Sequence, residues 1–496
     1  RDIGVTGVQT CALPIYTGVE YYCTIFTAAE SQLEPGLLWT GSDDGLIHVS
    51  RDQGKTWSNV TPPGIPKWMM WNSVEIDPHR AGAAYFVGTR YKLDDFTPYI
   101  YKTEDYGKTW KRIDNGINRM HFTRALRADR TRKGLLYAGT EYGLYISFDD
   151  GANWTSFQCN LPITPITDLA LKNNDLIVGT QGRSIYLLDD LSIVQQHADS
   201  IYKKSWHVFN PAPVVRMNSG RGGYGSSGAA GTNAPKGIVI PFWMDSVASD
   251  RAMVVRVIDG MGKVIRSFDT KGEKDKLEIE RGLNRFVWDL QYPEAEKGPD
   301  GLILWNGIVR GPQAIPGTYK ARFISEKDSV DMPFTLLPDP NYKTQPEEYT
   351  AQLDFLLKAR DLFSETMTAL KQIRTVRIQL EEKRKQWSAD TIPSLKLLFD
   401  TTLEQLKSVE EALHQTKAKS SQDVLNYPIR LDDKLSAVAN QVRAGAGGVS
   451  KQANEAMEDI GGKIRQQLDR LKVVQTKQIG AINERALELK LPAISW

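Results

Sequence analysis

The chain has 496 residues, too many for one hydrophobic core, and the length predicts about three domains. Its 62 Lys+Arg balance 60 Asp+Glu, which argues against a nucleic-acid-binding or membrane-surface protein with a clustered basic excess. An apolar share of 41% with 12 Trp and 19 Tyr fits a packed, Trp-rich β protein rather than disorder, and no apolar run approaches the roughly 20 residues that span a bilayer.

The first element is set aside. Val5 to Ile15, VTGVQTCALPI, resembles the translation of a common sequencing adapter, so residues 1–15 are excluded from fold reasoning. That removes Cys11, and a signal peptide upstream of the true start is not legible. The other cysteines, Cys23 and Cys159, give neither a disulfide framework nor metal-type spacing, and each is expected to be a small buried residue.

Residues 16–200 carry a repeat. The pattern Ser/Thr-x-Asp-x-Gly-x-x-Trp occurs as Ser50, Asp52, Gly54 and Trp57; as Thr103, Asp105, Gly107 and Trp110; and as Ser147, Asp149, Gly151 and Trp154. The copies start 53 and 44 residues apart, near the length of a four-stranded propeller blade. A short apolar run ending at or beside Gly precedes each copy, as a buried strand would. A fourth run, Asp175 to Thr180, leads into Leu188-Asp189-Asp190-Leu191, where Gly and Trp are gone. Asp and Gly suit a tight turn, the hydroxyl adds a local bond, and the Trp packs between sheets. The box reads as a hairpin fastener rather than a catalytic motif. Four blades at most fit here, and the adapter-like start points to further blades upstream.

Residues 201–237 read as a Gly/Ser-rich linker, because SGRGGYGSSG, from Ser219 to Gly228, has no phosphate-loop Lys-Ser/Thr after it. Residues 238–338 read as an Ig-like β-sandwich, with a hairpin turn at Asp259-Gly260 and Phe286, Trp288 and Leu290 sharing a face. After Pro338 the period becomes helical. Leu353, Leu356, Phe363, Met367, Leu370 and Ile373 fall at helical spacings, as do Leu395, Leu398, Leu406, Val409 and Leu413. Ile460, Ile464, Leu468, Leu471, Ile479 and Ile482 follow after a break at Gly445 to Gly448. Residues 341–496 are therefore expected to be a three- or four-helix bundle with a solvated charged face. The fold class is multidomain and mainly β: a partial propeller, a sandwich and a C-terminal α-helical bundle.

The boxes, the run from Tyr99 to Trp110, GLLYAGTEYGL from Gly134, GTQGRSIY from Gly179, FVWDL from Phe286 and PGTY from Pro316 together resemble a bacterial family. Its members are labelled glycosyl hydrolases with BNR/Asp-box repeats, or sortilin-like propeller proteins. The resemblance covers nearly all of residues 17–496. It implies a secreted or periplasmic protein, and its hydrolase label is analogy rather than chemistry.

Glycoside hydrolysis needs two carboxylates facing each other across a sugar. Asp94, Asp95 and Glu141 are the candidates, and Trp68, Trp71, Arg90 and Arg183 are the residue types that stack on or hydrogen-bond a glycan. The structural alternative is that the acids cap turns, the arginines pair with them and the tryptophans fill gaps between sheets. No His-Glu-x-x-His, Cys-x-x-Cys or Gly-x-Ser-x-Gly pattern occurs, so no metal, cofactor or serine nucleophile is expected. Two functions remain. One is a scaffold whose propeller binds a glycan or peptide and whose bundle engages a protein partner. The other is a polysaccharide hydrolase with a carboxylate pair at the propeller mouth.

Overall fold

The computed structural model describes residues 23–217, 235–245, 252–326, 328–388 and 392–496. The adapter-like segment and most of the Gly/Ser-rich stretch lie outside them. The protein is mainly β with a C-terminal helical region, and it divides into two compact units between Ala198 and Asp199.

The first unit is a series of antiparallel sheets, each made of consecutive strands. The first holds β1 (Ile25–Glu30), β2 (Leu38–Ser42), β3 (Ile47–Ser50) and β4 (Ser58–Asn59). The second holds β5 (Met70–Ile76), β6 (Ala84–Arg90), β7 (Asp95–Thr103) and β8 (Lys111–Arg112). The third holds β9 (Thr123–Ala128), β10 (Leu136–Thr140), β11 (Gly143–Ser147) and β12 (Thr155–Ser156). The fourth has three strands, β13 (Ile166–Lys172), β14 (Asp175–Thr180) and β15 (Ile185–Leu188). A helical turn at Ser192–Gln195 follows it.

First strands of successive sheets lie side by side, which leaves little room between sheets. Glycine in the second strand provides that room. A Cβ on Gly41 would stand 2.7 Å from Trp71 Cβ, and one on Gly139 would stand 2.6 Å from Ile166 Cγ2. Sheets are joined by apolar cores. Trp39 and Trp71 both meet Phe86 edge-on, with ring centres 6.0 and 5.8 Å away, and all three are fully buried. Rings of this size remove about 150–250 Å² each from water and dominate such a core.

The second unit begins with β16 (Trp206–Val208) and β17 (Val214–Val215), two strands inside the segment expected to be linker. Both are drawn into sheets by partners beyond the Gly-rich stretch. Strand β16 pairs with β18 (Ile238–Met244), which pairs with β21 (Gly282–Trp288). The other sheet contains β19 (Met253–Ile258), β20 (Val264–Asp269), β22 (Gly317–Ser325) and β23 (Asp328–Leu337), with β17 parallel to the edge of β23. The two sheets share one core, where Phe242 and Phe286 meet Phe323 at 5.6 and 5.8 Å.

Helix α1 (Pro346–Gln386) starts with Pro at its first position and a capping box between Gln345 and Glu348. It packs with α2 (Pro393–Leu413), α3 (Leu431–Ala444) and α4 (Lys451–Val473), the last running through a π turn into α5 (Gly480–Glu488). The apolar positions read from the sequence face the shared core: Phe363, Met367, Leu370, Ile373, Leu395, Leu406, Ile464 and Ile482 are all fully buried. The most deeply buried charges here have partners. His414 Nδ1 and Asp432 Oδ2 lie 2.7 Å apart, and Glu410 takes Arg374 at 2.9 Å and Arg377 at 2.6 Å. Asp433 accepts from the backbone N–H groups of Trp305 and Asn306, each at 2.8 Å. Among the described residues, no helix is long and apolar enough to cross a membrane.

Candidate functional site

In a four-stranded antiparallel sheet of consecutive strands, the second-to-third hairpin and the exit from the fourth strand share one end. The box, between third and fourth strands, lies at the other. The two ends of the first unit therefore carry different residues.

At the box end the three copies are superimposable bond for bond. Ser50 Oγ donates to Asp52 at 2.9 Å, Gly54 N donates to Ser50 Oγ at 2.8 Å, and Thr56 N and Oγ1 donate to Asp52 at 2.9 and 2.6 Å. Thr103, Asp105, Gly107 and Thr109 repeat this pattern, and so do Ser147, Asp149, Gly151 and Asn153. The bonds from Thr56 hold the Asp52 carboxyl down at about 2. The seventh position, Thr56, Thr109 or Asn153, is part of the motif and was missed in the sequence. The tryptophans differ. Trp110 and Trp154 donate to Val60 O and Ile113 O, just beyond the last strand of the preceding sheet, at 2.8 and 2.6 Å. Trp57 donates to Gly54 O within its own box and is 43% exposed.

A second repeat, also unread from sequence, clasps these sheets together. Asp77, Arg80, Gly82 and Tyr85 recur as Asp129, Arg132, Gly134 and Tyr137. Arg80 binds Asp150 of the third box with two nitrogens, at 2.7 and 3.0 Å, and Asp77 at 2.7 Å. Tyr85 and Lys102 donate to the same Asp150 at 2.6 Å each. Although burial opposes it, these donors hold the Asp150 carboxyl at about 2. In the first sheet Glu34 accepts from Tyr106 of the second box at 2.8 Å. In the third, Arg132 donates instead to the carbonyls of Gln195 and His197, because the helical turn stands where the fourth box has decayed.

The opposite end holds most of the candidate ligand-binding and catalytic residues. Arg90 Nη1 and Tyr99 OH each donate to Asp95 Oδ2 at 2.7 Å, and Thr97 N donates to Oδ1 at 3.1 Å. Partial burial pushes the Asp95 carboxyl up, but these donors win and hold it below its ordinary value. Asp94 sits in the left-handed region with φ 56° and closes the turn Tyr91–Leu93. Glu141 pairs with Arg124 at 2.7 Å. The two ion pairs are bridged by aromatic rings. Tyr91 stacks on Phe122 at 5.0 Å, and the Arg124 guanidinium lies over both rings at 5.6 and 5.0 Å. Beside them His121 stacks on Tyr142 at 4.6 Å and meets Tyr145 OH at 2.9 Å, and burial lowers its pKa. Trp68, in the β4–β5 connection, is 52% exposed. Arg183, in the β14–β15 turn, is exposed, and among the described residues it makes no hydrogen bond or ion pair with this cluster. Trp71 departs from expectation as a ligand platform. It is fully buried and donates to Gly45 O at 2.9 Å. Cys23 and Cys159 depart as well, since both are exposed rather than buried; each lies in a turn with positive φ.

A third group was not singled out from sequence. The first strands β1, β5, β9 and β13 line a cleft of about 280 Å³ containing Glu30, Glu75, Arg127, Arg130 and Asp168. Arg127 bonds Asp168 at 2.8 Å and stands 3.8 Å from Glu75, whose other oxygen accepts from Ala128 N at 3.1 Å. Burial outweighs Arg127 and raises the Glu75 carboxyl to about 7. Among the described residues no group of three or more His, Cys, Asp or Glu is placed to hold a metal.

The sequence matches no family model and no curated protein. Among solved structures it is similar to YCF48 bound to D1 peptide, at 20% identity over 34% of this chain and 51% of that one, TM-score 0.27. It is similar to YCF48 from Cyanidioschyzon merolae, at 17% identity over 34% and 55%, TM-score 0.28. It is also similar to a GH74 xyloglucanase from Xanthomonas campestris, at 12% identity over 68% and 48%, TM-score 0.29. The chain spans about half the length of each of these, and likenesses at such TM-scores carry no weight for fold or function.

Proposed function

We propose that this chain belongs to an extracytoplasmic Asp-box β-propeller protein that binds a glycan or peptide and acts as a scaffold. Residues 16–200 are its C-terminal blades, 238–338 together with β16 and β17 an Ig-like spacer, and 341–496 a helical bundle that engages a protein partner. The observation that carries the binding reading is the Arg124 guanidinium spread over Tyr91 and Phe122 between two ion pairs. Beside that covered stack Trp68 and Tyr142 are about half exposed; exposed aromatic faces suit sugar rings or side chains, and paired polar groups at the rim fix orientation. Two of the three candidate carboxylates of that end, Asp95 and Glu141, are already held by arginines, which suits recognition better than proton transfer.

A second reading, glycoside hydrolysis, is favoured by Glu75 in the inner cleft. A carboxyl near neutrality can act as a general acid while a second carboxylate, such as Asp168 across Arg127, supplies the other role. One experiment separates them. A panel of oligosaccharides and peptides is titrated against the full chain by calorimetry, with release of reducing ends followed in parallel. Binding that Arg124→Ala abolishes, with no cleavage, supports the scaffold. Cleavage that Glu75→Gln abolishes supports the hydrolase. Binding unaffected by Arg124→Ala would remove the first site from consideration.

A further inference from the structure

The second unit contains a cavity of about 590 Å³ between the sheets and the helices, outside the sites above. Its apolar wall comes from Val214 and Val215 of β17, Leu290 after β21, and Leu356 of α1. Its polar wall includes two arginines.

Arg216 is 4% exposed. Its Nε donates to Ala314 O at 2.9 Å and its Nη2 to Gln352 Oε1 at 3.2 Å, while the guanidinium lies 4.9 Å from the centre of the Tyr349 ring. Among the described residues no carboxylate forms an ion pair with it. Arg443, in the last turn of α3, is half-buried and has neither hydrogen bond nor ion pair among the described residues. Burial lowers the pKa of both. The end of α3 accounts for one cation, since its terminal carbonyls favour positive charge. It does not account for Arg216, which comes from the sheet.

A buried guanidinium without an ion pair is costly: Asp339 acts on Arg216 without pairing to it, its Oδ1 accepting from the backbone N–H and side-chain amide of Asn341 at 2.9 Å each, and Glu294 and Arg310 act on Arg443 in opposite directions. Five N–H donors in a planar fork also leave Arg216 with unused donors beside an apolar wall. Asp289 lines the cavity too, but its carboxylate is engaged by Arg266 at 3.1 Å. We infer that this cavity binds a small amphipathic anion, with a carboxylate or phosphate head between Arg216 and Arg443 and an apolar body against Val214, Val215, Leu290 and Leu356.

The test uses the full chain and isothermal titration with octanoate, octyl phosphate, inorganic phosphate and octanol. Saturable one-to-one binding of an octyl anion is expected, at least tenfold tighter than octanol or inorganic phosphate. The tighter of the two octyl anions identifies the head group. Arg443→Gln should weaken that binding at least tenfold without moving the melting temperature, and Arg443→Lys should weaken it less. Absence of saturable binding, equal binding of octanol, or an unchanged affinity in Arg443→Gln would overturn the inference.

Discussion

The indole N–H of Trp154 reaches back 2.6 Å to the carbonyl of Ile113, so the third box closes on the end of the second sheet. Trp154 is 3% exposed, against 43% for Trp57. Trp154→Ala should therefore cost about 3–5 kcal/mol through lost burial and an orphaned carbonyl. Trp57→Ala should cost less than about 1 kcal/mol, as expected of surface positions. Thermal melting of the two variants decides it, and equal losses would contradict the inter-sheet role of Trp154.

Asp150 gives the clasp an acid limit. Its folded value of about 2 lies below the ordinary 3.8, so its contribution is complete above about pH 4 and disappears as pH falls toward 2. With a quarter of the side chain exposed, the contribution is on the order of 1–2 kcal/mol after screening. Denaturant titrations from pH 2 to 5 should show a slope in the wild type that Asp150→Asn flattens.

Glu75 acts in the opposite direction. Its folded value of about 7 exceeds the ordinary 4.5, so the folded state holds the extra proton. Stability from this group is present below about pH 4.5 and declines as pH rises through 7. Glu75→Gln should remove that decline and melt higher than the wild type at pH 8. A carboxyl resonance for Glu75 titrating near pH 4 would refute the assignment.

His414 and Asp432 are both essentially buried and share one short contact. Removing either partner leaves the other without its bond, at a cost of about 3–5 kcal/mol. Asp432→Asn and His414→Ala should each lower the melting temperature of the helical signal, and the double variant should fall well short of the summed losses.

What could be read from sequence was what is local. Each box spans eight residues, so Asp52, Asp105 and Asp149 announce their turns within a few positions. The helical stripe from Phe363 to Ile373 is likewise a short-range pattern. Arg80 and Asp150 are 70 residues apart, and nothing in either neighbourhood names the other. A signal did exist, because Asp77-x-x-Arg80 and Asp129-x-x-Arg132 recur 52 residues apart. Nothing beside Glu75 in the sequence announces its burial, because β9 supplies it through Arg127 and Ala128. Trp71 illustrates the converse: a tryptophan beside a connection resembles a ligand platform until the adjoining hairpin covers it. Strands β16 and β17 were obscured because their partners lie beyond a long Gly-rich stretch.

The clasps of the first unit join only adjacent sheets: Tyr106 to Glu34, Asp150 to Arg80, the helical turn to Arg132. No fastening skips a neighbour among these contacts. Cohesion is then distributed like links in a watch strap, and a pull along the chain should release length in discrete steps, each step the parting of one pair.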